Sequence, residues 1–314
     1  MRNLKDIFLW DETEALNGEL EIALESIMDG DDIPAFNHVC RLIREELDAM
    51  PKETHDRILY RFVGFPTYGT NREISGDEIL EDIKLGRITL SNPMSFNDPM
   101  DPIIRVRTEE RQKLQTRDRN LKRVAELIHE ATAHFRICSL VGEKGTRKNL
   151  FNRLNEHPYE NVLMWGHYAK CHTGICIKYR IKPQVLAGYT NMDRIMLLGD
   201  VRYREQKELN NYITLNNALL AKSGSWKYER ETRLIYFTTD EKDLKDSKGD
   251  IMNYVPMSGF EIESIYMGCK MNKRYKQALW QAIQGKHIDL YQMEFDMDDI
   301  TKIRARKTDA KSDE

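Results

Sequence analysis

Two stretches concentrate the residue types that do chemistry. The first runs from Val162 to Tyr179 and carries Trp165, His167, Tyr168, Lys170, Cys171, His172 and Cys176. Zinc takes imidazoles and thiolates in tetrahedral array, and Cys138 adds a further thiol, but the cluster contains no C-x-x-C pair and no metal is expected. The second runs from Ser225 to Phe237 and places Glu229, Glu231 and Arg233 two residues apart. On a strand these three share one face, with Tyr228, Arg230 and Thr232 on the other. Three charges are too many to bury unpaired, so this face is expected to border a cleft or solvent. Arg61, His167, His172, Glu231 and Arg233 would suit a phosphate-bearing ligand there. Trp165 and Trp226 are assigned to packing, and His167 is either a hydrogen-bonded core histidine or a ligand contact.

The elements that must position these groups follow from the pattern. The apolar run at Val162 reads as a short buried helix, ended at Gly174 because glycine tolerates positive φ. The β-formers Ile175 to Tyr179 then make a strand. Further strands are expected at Ile58–Val63, Ile88–Ser91, Phe135–Leu140, Gly199–Tyr203, Ile262–Met267 and Ile288–Phe295. Ser75 and Glu78 form a capping box for a helix through Lys84, and helices are expected at 205–221 and 273–284. The loop Ser95 to Pro102 is turn chemistry throughout. Its Asn97 and Asp98 are placed either to bind a ligand or to tie the loop to itself. The basic helical segment 105–123 is read as a solvated face in preference to a nucleic-acid contact.

The chain has 314 residues, of which 40% are hydrophobic and 32% charged. That describes a soluble globular protein. It has no apolar run near the roughly 20 residues that span a bilayer and no secretory signal pattern at its start. Five cysteines without framework spacing argue for reduced thiols in the cytoplasm. The net charge of −3 hides an asymmetry: residues 1–57 carry −9 and the remainder +6. The apolar positions Leu16, Leu20, Leu24 and Ile27, then Phe36, Val39, Ile43 and Leu47, make this acidic stretch helical.

Five motifs in order carry a resemblance. They are Leu59-Tyr60-Arg61-Phe62; Leu90-Ser91-Asn92-Pro93-Met94-Ser95-Phe96-Asn97-Asp98-Pro99; Cys138-Ser139; Leu163-Met164-Trp165-Gly166-His167-Tyr168-Ala169 with His172-Thr173-Gly174-Ile175; and Trp226 through Arg233. Together they make residues 59–303 similar to the bacterial family of domain of unknown function 2971, a family that implies no activity. More distantly, the order of an opening strand with a Leu-Tyr-basic triplet, a middle Cys-Ser strand and a late Glu-x-Glu pair resembles the ADP-ribosyltransferases. That second resemblance implies NAD as co-substrate. Arg61 would grip its pyrophosphate, Ser139 would orient it, and Glu231 would stabilise an oxocarbenium-like ribose, with Glu229 the first Glu of the pair. Tyr60, Arg61, His167, Tyr168, Glu229, Arg233, Asn97 and Asp98 would line the nucleotide.

The expected architecture is α+β. An acidic helical module at 1–57 precedes a domain at 58–303 built on two small, strongly bent, largely antiparallel sheets with flanking helices, and a charged tail at 304–314 frays. The implied activity is ADP-ribosyl transfer or NAD cleavage, in the manner of a toxin or phage-defence effector, onto a protein or nucleic-acid acceptor or water. The alternatives are a nucleotide- or phosphate-sensing module, a hydrolase using the same cleft, or a purely structural protein. A membrane partner is not expected.

Overall fold

A computed structural model describes residues 32–65, 76–96, 101, 130–143, 157–204, 219–299 and 302–308. In chain order its strands are β1 (Arg57–Val63), β2 (Ile88–Ser91), β3 (Phe135–Gly142), β4 (Ile175–Ile181), β5 (Arg194–Asp200), β6 (Arg202–Arg204), β7 (Ala221–Ser223), β8 (Glu231–Thr238), β9 (Tyr254–Met257), β10 (Glu261–Met267), β11 (Asp289–Phe295) and β12 (Ile303–Lys307). Its helices are α1 (Asp32–Asp48), α2 (Gly76–Leu85), α3 (Val162–His167), α4 (Pro183–Gly188) and α5 (Lys273–Ile283).

The fold is mixed α and β around an open, mostly antiparallel sheet. In place of the two small sheets expected from the sequence, ten strands form one hydrogen-bonded sheet, with β6 and β7 as a separate pair. The sheet is continuous because β3 is long enough to serve two neighbours on one edge. Near its end it meets β1 through Leu59↔Gly142 and Tyr60↔Val141. Nearer its start it meets β2 through Ser91↔Ile137. Its other edge pairs with β8 from Phe135↔Phe237 to Val141↔Glu231, and β5 lies outside β8. On the far side of β1 the order is β4, β10, β11, β12. Only β10 and β11 run parallel within this sheet, and a parallel pair needs a crossover, which α5 supplies.

Strand alternation sorts side chains onto two faces. Leu59, Cys138, Leu140 and Leu234 pack on one face with residues of α2 and α5. On the other face, Cys40, Ile43 and Leu47 of α1 cover Ile137, Ile235 and Phe237. The acidic segment therefore contributes a helix to the core of the sheet. Also on that face, Trp165 of α3 is 0% exposed and packs with Tyr60, Phe62 and Val141, its indole N–H donating to Tyr159 O at 2.8 Å.

Two local expectations are corrected. Residues 304–307 of the expected tail belong to β12, where Arg306 pairs with Glu294 on β11 and Arg304 with Asp296 just beyond it, and residues 309–314 lie outside the described residues. Gly174 does not carry the positive φ; Lys170, Cys171 and His172 do, at 47°, 52° and 69°. Glycine is needed at 174 for proximity, since a Cβ there would lie 2.1 Å from Val63 O. Among the described residues no helix is long and apolar enough to cross a membrane.

Candidate functional site

The head of β8 holds a buried ionic cluster. Gly224–Glu229 forms a 3-10 turn, and Arg230 at φ 48° then redirects the chain into β8. Glu229 thus belongs to a turn and not to the strand. Even so, its carboxylate and that of Glu231 reach one ammonium: Lys222 Nζ, from β7, donates to Glu229 Oε2 at 2.7 Å and to Glu231 Oε2 at 3.2 Å. Glu231 Oε1 also accepts from Ser139 Oγ at 2.6 Å and from Arg233 Nε at 2.8 Å. Arg233 Nη2 donates to Glu231 Oε2 at 3.3 Å and to Asp101, and its Nη1 donates to Leu219 O at 2.6 Å. Lys222 completes the ring through Asp101 Oδ2 at 3.3 Å.

The sequence predicts that this face borders a cleft or solvent, and these charges do not face solvent. Glu231 is 4% exposed and Arg233 0%. Burying such groups is costly unless each is paired, and here Lys222 and Asp101 supply the missing partners. Neither stands out in the sequence, because Asp101 and Arg233 lie 132 residues apart and no local spacing announces their pairing.

Three carboxylates meet two cations, so the fully ionised cluster carries one excess negative charge. The two glutamates respond in opposite directions. Burial raises the Glu229 carboxyl above its ordinary value, against the pull of its hydrogen bonds from Lys222 and Tyr168. Burial would raise Glu231 as well, but the charges of Arg233 and Lys222 bring it down to about 2. Lys222, which burial alone would lower, is raised by Glu231 and Asp101. Environments that push two carboxyls apart separate their roles: Glu231 is held ionised, and Glu229 takes up a proton more readily than Glu231 does.

The cluster has an open edge. Ser139 is the exposed position of β3. Tyr168 caps the end of α3, is 37% exposed, and donates its hydroxyl to Glu229 Oε1. His167 is exposed, with Nδ1 at 2.7 Å from the Tyr228 hydroxyl. Asn161 fixes this corner by accepting from Leu163 N at the start of α3 and donating to Tyr228 O. Trp226 is half-buried and lies beneath Lys222, its ring centre 5.1 Å from Nζ.

The remaining expected site residues divide. Ser139 and Glu231 are in contact, with Glu229, Arg233, Tyr168 and His167 around them. Arg61 is not brought to them. Tyr60 lies opposite Val141, which lies opposite Glu231, so the next residue of β1 points through the other face. There Arg61 meets Tyr179, Asp82 and Cys138. Tyr60 keeps to the Glu231 face but donates to Glu143 at 2.8 Å. Asn97 and Asp98 lie outside the described residues, as do the segments 105–123 and 205–218. His172 stacks against Trp165, with centroids 6.3 Å apart, and Cys176 is buried in the same aromatic cluster. Among the described residues no three His, Cys, Asp or Glu side chains gather as a metal site.

Beside this edge, the three consecutive non-glycine residues Lys170 to His172 adopt left-handed backbone, at about 1–2 kcal/mol each. Backbone hydrogen bonds hold the turn: Cys171 N donates to Gly166 O, His172 N to Trp165 O and the following Thr173 N to Lys170 O. The turn is wedged between Gly64, where a Cβ would lie 2.8 Å from Lys170 Cβ, and Gly268, where one would lie 2.1 Å from His172 O. Strain of this kind gathers at functional positions, and here it begins two residues after Tyr168.

No curated protein and no solved structure matches the chain. Residues 164–234, which take in Tyr168, the left-handed turn, Lys222, Glu229, Glu231 and Arg233, match the model of the family described as Protein of unknown function (DUF2971).

Proposed function

We propose that this site cleaves the nicotinamide–ribose bond of NAD, passing ADP-ribose to an acceptor or to water. The observation that supports this reading is the division of the two glutamates on Lys222: one carboxyl is held ionised and one is raised, beside an exposed serine. Rupture of the bond leaves its electron pair on nicotinamide and positive character on the ribose carbon. The excess negative charge of the cluster favours that developing cation, because Glu231 is fixed in place before the reaction and does not reorganise during it. The acceptor oxygen bonds to the ribose carbon and loses its proton, for which Glu229 is the base. Ser139 holds Glu231 in position, and Tyr168 and His167 line the entrance. This assignment departs from the resemblance at two points: Ser139 positions Glu231 in place of the nucleotide, and Arg61 on the opposite face takes no part, so the pyrophosphate grip falls to other residues.

One observation favours a second reading, a nucleotide-sensing module without turnover. The four acceptor positions of Glu231 are taken by Ser139, Lys222 and two donors of Arg233, so it has no lone pair to spare for a ribose hydroxyl. Nicotinamide release from NAD by the purified protein separates the two, with bacterial lysate present to supply an acceptor. Turnover that falls about a hundredfold or more in Glu229→Gln, with the melting temperature retained, supports catalysis. Saturable NAD binding with no release in the wild type supports sensing and removes the proposed chemistry.

A further inference from the structure

The helix α5 and the segments flanking it are rich in cations. Between Glu263 and Asp289 the sequence has no acidic residue but has Lys270, Lys273, Arg274, Lys276 and Lys286. Several cations elsewhere are set against carboxylates along helices and across strands: Arg57 with Glu53 and Asp200, Lys178 and Arg180 with Glu263, Lys182 with Glu261, and Lys307 with Asp289. Among the described residues, Lys273 and Lys276 enter no ion pair.

Helix stability does not account for these cations. The first turn of α5 contains no acidic residue, its last turn no basic one, and positive charge at a helix start opposes the dipole. Packing does not account for them either. Leu279, Ala282 and Ile283 make the buried face of α5, whereas Lys273, Gln277 and Trp280 are exposed at spacings that put them on one outer stripe. Trp280, at 36% exposure, is a large ring kept partly in water amid cations and amides. The same surface continues toward the strained turn, because Lys270 N donates to His172 O at 2.9 Å.

We propose that this face binds single-stranded nucleic acid. Its cations would neutralise backbone phosphates. Trp280 offers a flat face on which an unpaired base stacks, an interaction open to single strands and tolerant of sequence. The glutamine amides beside it can hydrogen-bond base edges. A lipid surface is less well matched, since the stripe presents one aromatic ring among amides instead of a run of apolar side chains. The proposal does not depend on the reaction at Glu229 and Glu231, which lies on the other face of the sheet.

The test is fluorescence anisotropy of a labelled single-stranded 20-mer, as oligo-dT and as oligo-U, with wild-type protein over a salt series. Binding is expected to weaken linearly in log–log form. The double variant Lys273→Gln/Lys276→Gln is expected to reduce the slope by roughly 1 to 1.5, at about 0.7 for each phosphate left without its cation on a single strand. Trp280→Ala is expected to weaken binding about tenfold at every salt concentration. Lys273 and Trp280 are exposed and Lys276 is half-buried, and an unchanged melting temperature verifies the variants. Tighter binding of oligo-U than oligo-dT, or the reverse, identifies the strand type and supports the proposal either way. Three results would overturn it: no binding at low salt, equal binding of heparin that ignores Trp280→Ala, or capture by anionic phospholipid vesicles without capture of either oligonucleotide.

Discussion

Glu229 and Glu231 accept from the same ammonium, Lys222 Nζ, at 2.7 and 3.2 Å, yet their carboxyls are displaced in opposite directions. The difference comes from Arg233, which donates twice to Glu231 and not to Glu229. Glu231 is therefore the counter-ion on which the cluster is built, and Glu229 is the surplus charge.

Substitution should expose that asymmetry. Glu231→Gln leaves Arg233 and Lys222 short of charge inside the protein, and breaking a buried pair from one side costs about 3–5 kcal/mol. Glu229→Gln removes the surplus negative charge while keeping an acceptor for Tyr168, so its cost should stay within about 1 kcal/mol. Urea denaturation at neutral pH measures both. Equal losses from the two variants would refute the division of roles.

The pH dependence of stability follows from the same pair. Glu231 is depressed in the folded state, so its contribution is complete above the ordinary carboxyl value of 4.5 and is lost as pH falls toward about 2. The shift corresponds to about 3 kcal/mol. Glu229 is raised, so its contribution has the opposite sign: present below 4.5 and lost as pH rises through its folded value. Wild type should lose stability on acidification across this window, and Glu231→Gln should show a much shallower decline. A wild-type melting temperature flat from pH 5 to 3 would contradict the assignment.

The left-handed turn makes a separate prediction. Cys171 is exposed at φ 52°, so glycine there relieves steric cost without removing packing. The gain is partly offset by the greater freedom of glycine in the unfolded chain. Cys171→Gly should therefore stabilise the protein by about 0.5–1 kcal/mol. Gly174→Ala should do the reverse by several times that amount, since the new Cβ meets Val63 O. Thermal melts of the two variants moving in the same direction would show that the turn is not held as described.

The strands that depend on local composition are legible in the sequence. Ile58–Val63, Ile175–Tyr179 and Ile262–Met267 are runs of β-formers and fall within β1, β4 and β10. What is illegible depends on distant partners. β12 reads as a charged tail until Glu294 and Asp296 are placed beside Arg304 and Arg306. Gly174 stands out in the sequence for its torsional freedom and is needed for its lack of a side chain. The Glu-x-Glu pair is visible, but its buried state rests on Lys222 and Asp101, which no short-range pattern connects to it. Arg61 shows the same limit: alternation places it opposite Tyr60, but which face holds Glu231 follows only from the register of β1 on β3 and β3 on β8.

Tyr168 is the link between this cluster and the solvent. Its hydroxyl donates to Glu229 Oε1, and a hydrogen bond to the charged form holds that carboxyl below where burial alone would put it. Tyr168→Phe removes the donor and leaves the ring, so the Glu229 carboxyl should move upward by roughly one pH unit, the equivalent of a charge-assisted hydrogen bond of about 1.5 kcal/mol. Carboxyl carbon chemical shifts followed by NMR titration report this directly, without relying on turnover. If the protein cleaves NAD with Glu229 as base, the acidic limb of its pH–rate profile should move by the same amount and in the same direction, because the base must be ionised to accept a proton. A carboxyl that moves while the rate profile stays still would mean that Glu229 is not the base.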